Sequence, residues 1–457
     1  MLLSRLNDVV WSPWLLGLFL AAGLYYSLRT GFFQIFRIPL WLRTTFGAML
    51  RRRGRGNGRG ISQFQALATA LASTIGTGSI AGVATAIWFG GPGAVFWMWV
   101  SALLGMMTGC AEKLLSVRYR RAGPAGWLGG PMYYILDGLK SPLLAGWFAL
   151  ACLPATLTGG DMVQSSSIAA ALQATFGWDR LAVGAAVAVL TGLVMVGGIG
   201  RIARVSSGLV PAMALLYLGG GAAVLAARAD QIPEAMALIF CSALRPEAAV
   251  GGGMGYTLDA ALRYGVARGV FTNEAGLGTS AMAHAAAEVD CPARQGMWGI
   301  VEVCVSTLLV CTATALVILV SGVYGPADAL VRGALGAVPP DRLGAPLTAA
   351  AFSSVLGPWG GAVVSLSLLL FAFSSILGWS WYGEQSILYL TGSRRLVPAY
   401  RLVFLSCVVL GSVWEGEAVW ELVDLCNALM AIPNLTALLL LSPQVLRELR
   451  DWERTGG

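Results

Sequence analysis

Charge is scarce in this chain. Of 457 residues, 12% are Asp, Glu, Lys or Arg, while 57% are hydrophobic. One histidine is present, and the eight cysteines stand at irregular spacings with no CxxC pair. They read as buried thiols and imply neither a metal site nor a disulfide framework. A membrane enzyme would need a nucleophile–base pair or a metal cluster, and one His with scattered thiols supplies neither. The mean hydropathy of +0.72 excludes a soluble protein of this length, which could not hide so much apolar surface. A net charge of +7 and a pI near 9.1 might suggest a nucleic-acid partner. The arginines instead gather in short stretches beside apolar runs, so no nucleic-acid partner is expected. A cleaved signal peptide is not expected either, because no small-residue cleavage site follows the first apolar run.

What is there is a succession of apolar runs, which predicts an all-α polytopic membrane protein. The expected spans are eleven: 12–28, 64–89, 93–117, 144–174, 181–198, 206–226, 249–270, 294–322, 357–390, 398–413 and 419–442. An odd number puts the chain ends on opposite sides of the lipid bilayer. With the N-terminus outside and the C-terminus cytoplasmic, most of the 30 basic residues fall inside. The outside keeps Arg5, Arg180, Arg228, Arg245, Arg332 and Arg342. Phe32 to Leu50 and Pro131 to Lys140 are expected to lie in the cytoplasmic interface, and Ala349 to Val355 to fold down as a lid.

Two stretches weaken a span where lipid offers no water to a broken backbone. "STIGTGSIAG" (Ser73 to Gly82) places Gly76, Thr77 and Gly78 near the middle of the second span. "AVGGGMGYT" (Ala249 to Thr257), with Gly252 and Gly253, opens the seventh. Unwound backbone survives at membrane depth only where it lines a protein cavity. With span one set aside, spans 2–6 and 7–11 form two groups of five, each with its break in its first helix. An odd group size forces the groups into opposite topology, the arrangement of a transporter with a central site. Amides freed at a break attract a carboxylate, and freed carbonyls suit a small cation. A zwitterion carried with Na⁺ fits both. Ser374 and Ser375 in "FAFSSILGW" are candidate oxygen ligands, with a back-bond to a helix carbonyl as the plain alternative.

Four longer motifs carry a family resemblance: Gly76 to Met106, Tyr264 to Gly296 (with "FTNEAGLG"), Leu370 to Gln385 and Asp424 to Ser442. They resemble the alanine/glycine:cation symporter family over almost the whole chain. The resemblance implies a carrier of a small neutral amino acid in a bacterial or archaeal inner membrane, coupled to Na⁺ or H⁺, with no other cofactor. It implies a leucine-transporter-type 5+5 inverted repeat after one extra helix. The extra helix is 12–28, the repeats 64–226 and 249–442, and the tail 443–457. Carried over by motif, backbone at Gly76, Thr77 and Gly78 would surround the carboxylate. Gln164 would bind the polar end, and Ser375 and Trp379 would line the substrate. A sodium site like that of the wider fold would use carbonyls of Ala72, Ile75 and Phe371 with hydroxyls of Ser374 and Ser375.

This chain departs from the family's usual residues. Ser79, Asp161 and Ser166 stand where Asn is usual, and Gly253 where a large residue is. Asp259 is expected inside a span, where a carboxylate is costly. His284 reads as a structural hydrogen-bonding group or a proton switch. Glu274 reads as an inner gate or a helix cap, and Glu112 as the partner of a nearby base. Asp424 and Asn427 are expected to pin helices together. A channel is the remaining rival, and it favours a symmetric polar pore over two broken helices.

Overall fold

The computed structural model describes residues 2–11, 13–47, 60–123, 126–244, 258–324, 344–414 and 417–455. One short antiparallel hairpin, β1 (Arg121–Gly123) and β2 (Gly126–Leu128), interrupts an otherwise helical fold among these residues. The helices before it are α1 (Leu2–Val10), α2 (Pro13–Arg29), α3 (Phe33–Phe36), α4 (Ile38–Leu42), α5 (Gln63–Thr74), α6 (Ala81–Gly90) and α7 (Gly93–Arg118). After it come α8 (Pro131–Gly138), α9 (Pro142–Leu157), α10 (Val163–Phe176), α11 (Arg180–Met195), α12 (Gly198–Ala227) and α13 (Ile232–Leu244). The second half holds α14 (Leu258–Asn273), α15 (Ala281–Ala285), α16 (Pro292–Val303), α17 (Thr312–Val320), α18 (Ala345–Leu356) and α19 (Pro358–Thr391). It closes with α20 (Val397–Val413), α21 (Glu417–Leu440) and α22 (Ser442–Arg454). Two π turns, Thr158–Met162 and Cys304–Cys311, join α9 to α10 and α16 to α17 into continuous rods.

Local chemistry sets several of these boundaries. Ser62 caps α5 in a reciprocal box: its Oγ accepts from Gln65 N–H at 3.1 Å, and Gln65 Oε1 accepts from Ser62 N–H at 3.0 Å. Pro142, Pro292 and Pro358 open their helices in the first turn, where a missing N–H has no cost.

Seven helices among the described residues are long and apolar enough to cross a bilayer unaided. They match the third, fourth, sixth and eighth to eleventh expected spans. Helices α2 and α11 are apolar but shorter, at 17 and 16 residues. The second span is split into α5 and α6, and the seventh is described from Leu258 onward. Helix α8 buries Met132, Tyr133, Tyr134 and Ile135 against α7, α9 and α21.

Helix α7 is the hub. It packs against α2, α13, α14, α15 and α16, so its inner half meets protein on every side. The split helices run side by side in opposite senses, α6 on α14 and α5 on α15. Trp11 Nε1 donates to Asp424 O near the start of α21, and the Tyr26 hydroxyl donates to Leu438 O near its end. Helix α2 therefore runs parallel to α21, and α22 continues beyond it, so the two ends of the described chain lie on opposite faces.

Where α7 crosses α16, small residues bring backbones together. A Cβ on Gly299 would lie 2.5 Å from Gly109 O. Gly299→Val should therefore lower the detergent-solubilised melting temperature, at a cost of about 1–3 kcal/mol for overpacking. Gly200→Val, with open space around its Cβ, should leave it unchanged in the same thermal scan.

Candidate functional site

The first break is where the sequence places it. Helix α5 ends at Thr74, Ile75 is its C-cap, Thr77–Ser79 form one 3₁₀ turn, and α6 starts at Ala81. The last carbonyls of a helix have no partner within it. Here α19 supplies partners: Ser374 Oγ donates to Ala72 O at 3.1 Å, and Ser375 Oγ to Ser73 O at 3.0 Å. Ser374 Oγ also lies 2.9 Å from Phe371 O, so Ala72, Phe371 and Ser374 turn three oxygens toward one point. From the other side, Gln164 Oε1 accepts Thr77 N–H at 3.3 Å, while its amide donates to Gly159 O at 3.1 Å. A Cβ on Gly76 would meet Gln164 Oε1 at 3.1 Å and Ser375 Oγ at 3.2 Å. The Thr77 hydroxyl is buried with no hydrogen-bond partner among the described residues. Gly76, Thr77, Gln164 and Ser375 thus converge. Gly78 turns elsewhere, toward Phe271 and Thr272. Trp379 packs on the π turn, where a Cβ on Gly160 would come within 2.4 Å of it, and sets its ring edge-on to Tyr382 at 5.6 Å.

A second break lies at Glu274–Ser280, between α14 and α15. Gly252 and Gly253, where the sequence places its second break, lie outside the described residues. Glu274, Gly276 and Gly278 all have positive φ, at 53°, 98° and 81°. Glycine supplies that conformation without a Cβ penalty, whereas Glu274 adopts it against its side chain. Thr279 donates its hydroxyl to the Glu274 carboxylate, which therefore ties down the break.

Beyond the first break, a cavity of about 800 Å³ opens between α6, α10, α14, α18, α19 and α21. Gly78 and Phe271 form part of its floor. The opposite, arginine-rich face is tied shut. Ile61 pairs with the strand-like turn after α15, with Ile61 N to Ala286 O at 3.0 Å and Glu288 N to Ile61 O at 2.8 Å. Arg120 adds donations to the carbonyls of Ala285, Ala287 and Val289, with its guanidinium 4.1 Å over the Trp127 ring. One face is open to the break and the other closed.

The sodium:alanine symporter family matches residues 1–456. The chain belongs to that family. It is 41% identical over 454 residues to the sodium/alanine symporter AgcS of Methanococcus maripaludis, covering 98% of this chain and 96% of that one. Two Bacillus subtilis proteins are 36% identical. One, GlnT, is named as a sodium/glutamine symporter, with 98% of this chain and 89% of that one covered. The other, YrbD, is named as a sodium/proton-dependent alanine carrier, with 99% and 92% covered. The chain is thus an integral membrane protein of a transporter family.

In this family member the second break rests on a buried charge network. Glu112 Oε1 accepts Gly276 N–H at 2.9 Å and the Asn434 amide at 2.7 Å, and that amide also reaches Gly276 O at 2.9 Å. The Tyr134 hydroxyl donates to Asn434 Oδ1. Lys113 Nζ sits 3.3 Å from both Glu112 and Glu302, all three fully buried. His284 completes the chain, accepting from Gln295 at 2.6 Å on Nδ1 and facing Glu302 at 3.2 Å through Nε2. Lys113, Glu302 and Asn434 drew no functional reading in the sequence; the adjacent Glu112–Lys113 pair inside an apolar run is the signal that could have found them.

Other polar positions fall apart from the site. Asp259 is exposed in the first turn of α14. Ser166 Oγ donates to Trp414 O at 3.3 Å. Asp424 lines the cavity instead of pinning helices through its side chain.

Among the described residues no cluster of His, Cys, Asp and Glu could hold a metal ion, and the oxygens at the first break are neutral. Lys113→Met should be strongly destabilising, by about 3–5 kcal/mol, because it leaves two carboxylates buried without their cation. Thermal unfolding of the purified protein measures it. A melting temperature equal to that of the unmodified protein would show that the network does not hold the break.

Proposed function

We propose that the chain is a secondary active symporter that imports a small neutral amino acid, alanine or glycine, with Na⁺. One observation carries this reading: Ala72 O, Phe371 O and Ser374 Oγ converge beside the pocket formed by Gly76, Thr77, Gln164 and Ser375. Neutral, hard oxygens suit a cation that is weakly held and readily released. The amino acid's carboxylate would meet the Gly76–Gly78 backbone and the free Thr77 hydroxyl, and its ammonium would meet Gln164 Oε1. Trp379, wedged against Gly160, limits side-chain room. Ile75 and Ser375 complete the proposed ion shell, and Gly252 and Gly253 remain candidate substrate contacts by motif. The antiparallel broken helices support a 5+5 inverted repeat over 64–226 and 249–442. The arginine-rich face is assigned to the cytoplasm and the N-terminus to the outside.

Proton coupling is a second reading, favoured by Asp161. Its side chain is fully buried in the π turn, and neither carboxylate oxygen has a hydrogen-bond partner among the described residues. An ionisable group held in that way inside a membrane is retained where a proton or cation visits it.

Uptake by reconstituted vesicles separates these readings. Labelled alanine and glycine should enter against leucine or phenylalanine competition, driven by an imposed Na⁺ gradient. Ser374→Ala should raise the half-saturating Na⁺ concentration about tenfold, the loss of one good ligand. Sodium dependence that survives Ser374→Ala, together with pH coupling lost in Asp161→Asn, would transfer the coupling to H⁺. Gly76→Val should abolish uptake in a folded protein, because its methyls fill the space between Gln164 and Ser375. Normal uptake would make the first break a packing feature only.

A further inference from the structure

The outer cavity is roomier than one small amino acid requires, and its wall is not uniformly apolar. Among the described residues that line it, Arg268 on α14 and Glu421 and Asp424 on α21 carry charge. Arg268 and Asp424 line the same cavity without closing an ion pair among the described residues. Arg268 lies 5.9 Å over the ring of Phe271, which in turn packs on Trp420 at 6.3 Å. Phe271 is also the side chain that a Cβ on Gly78 would meet at 3.0 Å. An aromatic floor therefore separates the first break from a cation and an anion held on different walls of the same cavity.

Two opposite charges left unjoined around a cavity of about 800 Å³ match a ligand that carries both signs a short distance apart. A guanidinium takes a carboxylate through two parallel N–H donors, and a carboxylate takes an ammonium in a charge-assisted hydrogen bond. We propose that the outer cavity is a second amino-acid-binding station, above the first break. Arg268 binds the α-carboxylate and Asp424 the α-ammonium, and the molecule waits on Phe271 and Trp420 before it passes to Gly76–Gly78. This inference rests on the reading that the cargo is an amino acid. The Arg268–Phe271 contact links the two steps, because a carboxylate drawn to Arg268 competes with the ring beneath it.

Equilibrium binding of labelled alanine, glycine and glutamine, each in turn, to the full-length purified protein in saturating Na⁺ tests it. The wild type should bind two molecules of the transported amino acid per chain. Gly76→Val should keep one, and so should Arg268→Gln. The double variant should bind none. Arg268→Lys, which retains the charge, should recover the outer molecule with weaker affinity, and Asp424→Asn repeats the test if Arg268→Gln does not fold. One molecule in the wild type and none in Gly76→Val would overturn the outer station and leave the carrier reading intact. A wild type that neither binds nor transports any of the three would overturn the carrier reading itself.

Discussion

A backbone N–H or C=O at membrane depth has no water to turn to, so everything here depends on how two helix breaks are satisfied. They are satisfied differently. At the first, neutral partners do the work: serine hydroxyls of α19 meet the ends of α5, and one glutamine amide bridges Thr77 and Gly159. Such bonds are exchangeable, and the Thr77 hydroxyl stays free. At the second break, Glu112 and Asn434 hold Gly276 from both sides, with Lys113, Glu302 and His284 behind them. Breaking one member of that set strands a buried charge. The first break is held by neutral bonds, and the second by buried charge.

That asymmetry fits a molecule with one face open and one closed. The cavity reaches Gly78, while Ile61, Arg120 and the turn after α15 seal the opposite face through backbone carbonyls. None of these ties is covalent, and all lie at the start of α5 or the end of α15. A swing of α5 away from α15 would release the Ile61 pair, while the Arg120 bonds tie the end of α7 to the same turn. On the proposed reading, the charge network is what lets that swing occur around a second break whose geometry is preserved.

Much of this was legible in the residues. The first break announced itself because Gly76 and Gly78 interrupt an otherwise uniform apolar run. The expected second break, at Gly252 and Gly253, lies outside the described residues, and another break is seen among them at Glu274–Ser280. Glycine density drew the reading to Gly251–Gly255, while Glu274 in "NEAGLGTS" read as an inner gate or a helix cap. Sequence reasoning weighs glycine density, whereas the break depends on positive φ at Glu274, Gly276 and Gly278 and on an acceptor from another helix. Helix α8 was read as interfacial because ten residues cannot span a bilayer, and its length gave no sign that neighbours bury Met132 to Ile135. Asp424 was read as packing because its position on the last span gives no hint that a cavity lies beside it.

The most direct measurement is a structure determined with alanine and Na⁺ bound. The account predicts the alanine carboxylate at Gly76 and Thr77 beside Gln164, with an ion among Ala72 O, Phe371 O and Ser374 Oγ. An amino acid seated on the backbone of Glu274–Ser280, with the first break unchanged and its serine–carbonyl bonds intact, would contradict it.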